Sequence, residues 1–407
     1  MLLLTSTNLT ANPRLQKELQ LLVELGAFVQ VVAFHLSAWT DKYDEAVSGQ
    51  YSPDRVRFHY LQTNRQHLFR WLFYSIGEWV GRLLLPFLPS SMICAAAAIS
   101  KRSLQLLNWN IPAGFKPDLV IAHNPAAFYP AYFFARKWSA SFALDVEDYH
   151  PGENIASSVK VASARLMDKL LDKAAYVSYA SPLIREHSLK HTKRKSENHL
   201  VVNNVFPQTE FRKLTKESSP TSKLKLVWFS QHVDYGRGIE RILPILDRYS
   251  DSFQLTLIGS CRPIFRKQEV EKRNYIVCKE PLSQAELHAE LGLHDIGLAL
   301  EDPMDDLNRD ICLTNKIWAY FQSGLFILAT DTLAQRSFIH QFPDHGVLTS
   351  FSPESVRKIV EYLLANRSMI FSGYTDRFEK SKSHSWEQQS GQLIGQWRMA
   401  LNLPVTL

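Results

Sequence analysis

Short apolar runs alternate with helical patterns along the whole chain, and this alternation restricts the fold more than any other feature. In the first half we predict strands at Leu2–Thr5, Phe28–Phe34, Asp118–Ala122, Phe142–Asp145, Tyr176–Tyr179 and Leu200–Val202. In the second half we predict strands at Leu224–Phe229, Leu255–Ile258, Tyr275–Cys278, Ile296–Leu300 and Leu325–Ala329. Because these runs lack regular polar alternation and helices separate them, the sequence predicts α/β units with parallel sheets covered on both faces.

The polar segment PQTEFRKLTKESSPTSK interrupts this alternation, and we interpret it as a linker. The chain of 407 residues is too long for one ordinary core, so two domains are expected. We predict a first domain at 1–206, a linker at 207–223, a second domain at 224–384 and a returning C-terminal helix at 385–407. Since ligands bind beyond the carboxyl ends of parallel strands, the two sheets are expected to face a ligand cleft.

The composition favours a soluble, cytoplasmic protein. Hydrophobic residues make up 45% of the chain and charged residues 21%, and the net charge is +6. That excess suits a polyphosphate ligand, an anionic membrane surface or nucleic acid without choosing among them. The four cysteines have no metal-binding or paired spacing. MLLLTSTN at the start has no basic region and is interpreted as a first strand rather than a signal peptide.

The first predicted helix has a clear beginning and end. Asn12 is a suitable N-cap, Pro13 fits the first helical position, and Gly26 ends the helix.

A strongly apolar segment, 67–89, breaks the regular pattern. In it Arg70, Tyr74, Glu78 and Arg82 recur at four-residue spacing and share one helix face. The segment is either half of a helix pair packed on the first domain or a peripheral contact with a membrane. Its prolines and the weakly apolar alanines that follow make a transmembrane helix the weakest interpretation.

The stretch LTNKIWAYFQSGLFILATD contains a candidate anion site. Thr314 can cap the helix that follows, and the free N–H groups of a helix start attract anions. Asn315 and Lys316 lie in the first turn. A lysine there opposes the helix dipole, and an anionic ligand would remove that conflict.

The stretch WFSQHVDYGRGIERIL supplies a second candidate anion site. Arg237 lies between Gly236 and Gly238, in a loop between a predicted strand and a helix start. Small neighbours leave the guanidinium free to reach a phosphate.

Polar residues also follow strands of the first half. His123 comes just after the strand in DLVIAH, where it is either a buried, satisfied histidine or a functional one. Asp145, Glu147 and Asp148 follow the next strand and could orient sugar hydroxyls or provide a general base. The acidic loop LEDPMDDLNRD lacks a partner cluster, so we predict no metal site.

These motifs together resemble bacterial glycosyltransferases with two Rossmann-like domains, the GT-B class, and most of all the large retaining family that builds polysaccharides and lipid-linked glycans. The stretch NRDICLTNKIWAYFQSGLFILATDT carries the most specific similarity, and DLVIAHN, ALDVEDYH, VVNNVFP and the C-terminal SHSWEQQSGQLIGQW add to it.

The resemblance implies roles for single residues. Arg237 matches a residue that contacts the donor diphosphate, and 314–316 match the segment that holds the nucleotide and phosphates. His123 matches a histidine near the transferred sugar, 145–148 an acceptor-side strand exit, and Asn12 and Arg14 belong to the loop that approaches the donor. The family usually carries two glutamates eight residues apart, and those positions here are Ile311 and Ala319.

The expected function is transfer of a sugar, a hexose on this resemblance, from a nucleotide-diphospho-sugar to a glycan or lipid-linked acceptor in bacterial surface polysaccharide synthesis. No cofactor, metal or nucleic acid is expected. Contact with the inner face of the membrane is expected through 67–89 and the basic run 190–195. The alternative is a non-catalytic nucleotide-sugar-binding protein of the same fold.

Overall fold

The computed structural model describes residues 1–36, 38–63, 67–193, 197–215 and 223–401. The chain divides into two compact units, Met1–Val202 with the residues from Gln392 onward, and Asn203–Gly391. The predicted boundary at 206 lies close to the first division. Residues 216–222 of the predicted linker, 402–407 of the predicted C-terminal helix, and 194 and 195 of the basic run lie outside the described residues.

The first unit is built on a parallel sheet of seven strands in the order β3-β2-β1-β4-β5-β6-β7. Its strands are β1 (Leu2–Thr5), β2 (Val29–His35), β3 (Val56–Gln62), β4 (Leu119–His123), β5 (Ser141–Val146), β6 (Tyr176–Tyr179) and β7 (His199–Val201). Its helices are α1 (Pro13–Glu24), α2 (Ala38–Ser48), α3 (Leu68–Leu84), α4 (Met92–Ile99), α5 (Lys101–Leu107), α6 (Pro125–Trp138), α7 (Ser157–Leu170) and α8 (Pro182–Ser188).

The second unit is built on a parallel sheet of six strands in the order β10-β9-β8-β11-β12-β13. Its strands are β8 (Leu224–Val233), β9 (Phe253–Cys261), β10 (Ile276–Lys279), β11 (Ile296–Ala299), β12 (Phe326–Thr330) and β13 (Gly346–Thr349). The helices that follow β8 are α9 (Ile239–Leu246), α10 (Pro263–Phe265), α11 (Gln284–Leu291), α12 (Leu307–Ile311), α13 (Asn315–Gln322), α14 (Leu333–Gln341), α15 (Pro353–Ala365), α16 (Arg367–Ser372), α17 (Tyr374–Ser381) and α18 (Trp386–Ala400).

The predicted α/β class is confirmed, and each predicted strand is present within a few residues of its expected bounds. Two strands, β3 and β13, were not predicted. Both are edge strands, and β3 carries Arg57, His59 and Gln62 in place of a continuous apolar run. An edge strand is paired on one side only, so its sequence tolerates polar residues that hide it from pattern analysis.

The predicted start of α1 is confirmed. The Asn12 side chain accepts a hydrogen bond of 2.9 Å from the Leu15 amide, and Pro13 occupies the first helical position. Just past the helix, Gly26 has a φ of 81°. This ending uses the left-handed region that glycine enters at little cost.

The C-terminal helix α18 begins in the second unit and its last part belongs to the first unit. There the Trp397 Nε1 donates a hydrogen bond of 2.7 Å to the hydroxyl of Tyr176 on β6. The predicted return of the chain to the first domain is thus confirmed.

The segment 67–89 forms α3 and the turn that follows it, and α3 packs against α4 and α5. Two glycines allow this packing, because a Cβ on Gly77 would lie 2.6 Å from Leu104 Cδ1 and one on Gly81 2.7 Å from Ala97 Cβ. The predicted helix pair is therefore present. Among the described residues, no helix has the length and apolar character needed to cross a membrane.

Candidate functional site

In the first unit, polar side chains meet at the carboxyl ends of three adjacent strands. Thr5 of β1 pairs in register with His123 of β4, and His123 pairs with Asp145 of β5. Helix α1 follows β1 and places Arg14 and Glu18, four residues apart, over the same ends.

Arg14, Glu18, His123 and Asp145 form a buried cluster, which we call the ion cluster. Arg14 Nε lies 2.6 Å from Asp145 Oδ2, and His123 Nδ1 lies 3.2 Å from the same oxygen. His123 Nε2 lies 3.7 Å from Glu18 Oε2 on its other side. All four side chains are at most 2% exposed. Ser178 also donates a hydrogen bond of 2.5 Å to the second Asp145 oxygen.

The ion cluster shifts the pKa of each of its members. Burial would lower the pKa of His123, but the carboxylates of Glu18, Asp145 and Glu147 outweigh it and raise that pKa to about 10. Burial raises the pKa of Glu18 to about 7, against the opposing pull of His123. The pKa of Asp145 is lowered because Arg14 and His123 outweigh the effect of burial. At neutral pH the histidine therefore carries a positive charge and Asp145 a negative one.

Glu18, His123 and Asp145 also have the ligand types and spacing of a metal site, with one atom from each within 4.8 Å of the others. Arg14 Nε already lies 2.6 Å from Asp145 Oδ2, so a cation of the protein already faces this carboxylate. We interpret the arrangement as an ion-pair network and assign no metal to it.

The remaining predicted catalytic carboxylates lie at the rim of the ion cluster. Glu147 Oε1 is 3.6 Å from His123 Nδ1, and the side chain is 18% exposed. Asp148 is half-buried beside it. Glu147 therefore combines proximity to the ion cluster with access to solvent.

In the second unit, Lys316 lies in the first turn of α13, as predicted. Its Nζ is 2.9 Å from Glu301 Oε1 and 5.8 Å from the centre of the Trp228 ring. Glu301 follows β11 and its amide donates to Thr330 Oγ1 at the end of β12. A carboxylate of the protein thus already compensates the lysine charge at this helix start.

Thr314 and Asn315 complete the start of α13. Thr314 holds the N-cap position, but its side chain makes no capping hydrogen bond, and its buried Oγ1 is without a hydrogen-bond partner among the described residues. Asn315 is exposed. The helix start therefore presents unused polar groups of the kind that bind anions.

The loop after β8 carries Arg237 on the surface between two glycines with positive φ. The Gly236 amide donates to Glu240 Oε1 at 2.8 Å. Gly238, with a φ of 87°, packs so closely that a Cβ there would lie 2.7 Å from Phe351 Cζ and 3.2 Å from Leu300 Cβ. Only glycine fits this position without displacement of its neighbours.

The elements that carry the two predicted anion sites are neighbours at the carboxyl ends of adjacent strands in the second sheet. A Cβ on Gly238 would lie 3.2 Å from Leu300 Cβ, and the residue after Leu300, Glu301, holds Lys316. The parallel strands β8, β11 and β12 that carry these loops are adjacent. The structure therefore brings together the elements bearing 236–238 and 314–316. Whether Asn12 and Arg14, both buried in the first unit, also meet the donor stays a prediction.

Ile311 and Ala319, at the positions of the family glutamates, are fully buried. Neither side chain can contact a ligand in this conformation.

Sequence analysis did not identify Glu18 and Glu301 as site residues. A signal for Glu18 existed, because a charged pair four residues apart interrupts the apolar face of α1 formed by Leu15, Leu19 and Leu22. Glu301 was hidden in an acidic loop, where nothing in the sequence distinguishes it from Asp302 or Asp305.

Residues 11–204 match the family described as glycosyl transferase 4-like domain. The matched residues coincide with most of the first unit. None of the curated proteins matches this sequence.

Solved structures share the fold over nearly the whole chain. HepE from Anabaena, in complex with UDP-glucose, has a TM-score of 0.65 at 10% identity and covers 98% of this chain and 99% of its own. A glycosyltransferase from Rickettsia africae has a TM-score of 0.65 at 13% identity, covering 98% of each chain. Sucrose-phosphate synthase from Thermosynechococcus elongatus has a TM-score of 0.63 at 12% identity, covering 98% of this chain and 99% of its own.

The predicted resemblance to GT-B glycosyltransferases is confirmed by the family match over residues 11–204 and by the shared fold.

Proposed function

We propose that this glycosyltransferase moves a sugar from a nucleotide-diphospho-sugar to a glycan or lipid-linked acceptor in bacterial surface polysaccharide synthesis, and that it needs no metal. The observation that carries the proposal is the grouping of the Arg237 loop with the start of α13 around Leu300 and Glu301. Similar structures were solved with UDP and UDP-glucose, which supports a uridine nucleotide as the first donor to test.

The proposed chemistry stabilises the leaving group. When the bond between the sugar and the diphosphate breaks, negative charge grows on the diphosphate oxygens. This charge would be neutralised by Arg237, Lys316 and the free amides at the start of α13. In other enzymes a bound metal neutralises such charge. Preorganised donors of this kind each lower a barrier by roughly 3–4 kcal/mol.

Glu301 has a positioning role in this proposal. Its amide hydrogen bond to Thr330 fixes the backbone, and its carboxylate holds the Lys316 ammonium near Trp228. The lysine is thereby ordered before the donor arrives, so less entropy is lost on binding. Because Glu301 also repels a diphosphate, Glu301→Gln would strengthen binding of free diphosphate while loosening the lysine.

We assign the acceptor to the first unit. Glu147 and Asp148 are the partly exposed members of the predicted catalytic set, and Glu147 adjoins the charged His123. A carboxylate in that position could accept a hydrogen bond or a proton from an acceptor hydroxyl. The ion cluster beneath would hold the strand ends in place. A lipid-linked acceptor implies work at the inner face of the membrane, with contact through 67–89 and 190–195.

A thermal-shift panel of nucleoside diphosphates and their sugars, with and without EDTA, tests the proposal. We expect stabilisation by one nucleoside diphosphate, unchanged by EDTA, and release of that nucleotide when its sugar donor and a glycan acceptor are supplied. Arg237→Ala and Lys316→Ala should each lose the shift. Lys358→Ala, a matched surface cation that pairs with Glu354 on α15, should keep it. Loss of the shift on chelation would contradict metal independence, and stabilisation by no nucleotide would contradict donor binding.

A further inference from the structure

Helix α3 reverses the usual arrangement of an amphipathic helix. Its polar face is turned toward the protein, where Arg82 Nη2 lies 2.6 Å from Glu78 Oε1 and Arg82 Nε donates to the Ala98 carbonyl at 3.1 Å. The second Glu78 oxygen accepts a hydrogen bond of 2.8 Å from the Lys101 amide. Tyr74 on the same face is buried. Tyr74 and Glu78 of the predicted four-residue stripe therefore lie on the packing surface of α3, and Arg70 and Arg82 are exposed at its margins.

The opposite face of α3 is apolar and exposed. Phe69 is 89% exposed, Phe73 67% and Trp79 64%. These side chains recur at the three- and four-residue spacing of one helix face, and others join them there and in the following turn. The set, which we call the α3 stripe, consists of Phe69, Leu72, Phe73, Ile76, Trp79, Leu83, Leu84, Phe87 and Leu88.

The α3 stripe is too large for a surface that stays in water. From the exposed fractions and about 150–250 Å² for each aromatic side chain, it presents on the order of 1,000 Å² of apolar surface. The largest apolar patch on a typical monomer is about 300–600 Å² and often functional. Some other surface must therefore cover it.

The charges beside the α3 stripe indicate what covers it. The two cations of α3, Arg70 and Arg82, are exposed on its flanks, and its single carboxylate, Glu78, is already paired with Arg82. An apolar helix face with a basic border is complementary to the acyl boundary and headgroups of an anionic bilayer. In a symmetric contact between two copies, the same basic borders would face each other and repel.

We propose that the α3 stripe is an in-plane membrane anchor, inserted into the interface of an anionic lipid bilayer and held mainly by hydrophobic burial. A helix lying in the plane needs no membrane-spanning length. The inference deepens the proposed function by naming the surface that brings the enzyme to a lipid-linked acceptor, and it rests on that function only for the acceptor.

Flotation with vesicles of phosphatidylcholine and phosphatidylglycerol tests the anchor. The test variant is Phe69→Glu with Phe73→Glu. The matched control is Ile264→Glu with Met304→Glu in the second unit, where the two side chains are 67% and 88% exposed. Because all four side chains are exposed, each variant should keep the wild-type unfolding temperature.

We expect the wild type and the control to float with the vesicles, and flotation to persist in about 0.5 M salt, where charges are screened within a few ångströms. The test variant should bind at least about tenfold more weakly. Equal flotation of the test variant and wild type, or no flotation of the wild type, would overturn the anchor. A further result would also overturn the anchor: the wild type is a dimer, the test variant is a monomer, and neither protein floats. The α3 stripe would then join two copies of the chain.

Stabilisation by the nucleoside diphosphate, measured on the same samples, separates this inference from the proposed function. The test variant should retain that stabilisation. If the wild type binds the nucleotide but does not float, the anchor alone is refuted. If the wild type floats but none of the proteins binds the nucleotide, the proposed donor site alone is refuted.

Discussion

The ion cluster makes a quantitative prediction for Glu18→Gln. Glu18 is fully buried and faces His123, and burial raises its pKa from 4.5 to about 7. A carboxyl with a raised pKa in the folded state contributes stability that is present below its unfolded pKa and lost as the pH rises through the folded one. At about 1.36 kcal/mol for each pKa unit, wild type should lose about 2–4 kcal/mol from this group between pH 4.5 and pH 7. Glutamine cannot ionise, so the variant should not show this loss.

Urea unfolding followed by pulse labelling of cysteines gives the free energy of unfolding for each unit. Cys94 is buried in α4 and is the single cysteine of the first unit, whereas Cys261, Cys278 and Cys312 report on the second. Across this pH range the wild-type free energy of unfolding reported by Cys94 should fall toward, and then below, that of Glu18→Gln. The control Glu354→Gln, at an exposed position on α15, should run parallel to wild type. Parallel curves for wild type and Glu18→Gln would refute the assigned burial and contacts of Glu18.

Three further substitutions test the packing of the two units. Arg14→Met should destabilise the first unit by about 3–5 kcal/mol, because it leaves Asp145 buried without its main cation; adding Asp145→Asn should recover part of that loss in the same urea assay. Gly238→Ala should cost the second unit about 1–3 kcal/mol more than Gly236→Ala, since both positions have positive φ but only the first meets a phenylalanine ring; equal unfolding energies would contradict this. Asn12→Ala should lower the stability of the first unit by about 1 kcal/mol through loss of the helix cap, and no change at Cys94 would count against it.

Much of the fold could be predicted from the sequence because buried parallel strands are continuous apolar runs. The segments β1, β4 and β12 have every residue buried, and all three were predicted. The edge strand β3 was not, because its partly exposed positions admit polar residues such as Arg57 and His59 that erase the pattern, and β13 was not, because it is only four residues long and begins with a glycine. A strand is predicted from its run of buried apolar residues, and an edge strand is less buried than a central strand because it has a neighbour on one side only.

The candidate site could be predicted only where a local signal marks it. Arg237 between glycines and Lys316 at a helix start are visible as local exceptions, and the structure places their elements side by side. The partnership of Lys316 with Glu301 spans fifteen residues and the intervening helix α12, and the contact between Glu18 and His123 spans more than one hundred residues. Such contacts depend on strand order, which the sequence does not specify locally. The outward apolar face of α3 likewise became clear only when the packing side of the helix was known.

The central claim is that protein cations at the carboxyl edge of the second sheet neutralise the donor diphosphate. Titration calorimetry of UDP, or of the nucleoside diphosphate that stabilises the protein best, tests it most directly when run in EDTA against wild type, Arg237→Ala, Lys316→Ala and Lys358→Ala. Arg237→Ala and Lys316→Ala should each weaken binding by about tenfold or more, as expected for loss of a charge-assisted contact of about 1.5–3 kcal/mol, and Lys358→Ala should bind as wild type does. Unchanged affinity in both Arg237→Ala and Lys316→Ala would contradict it.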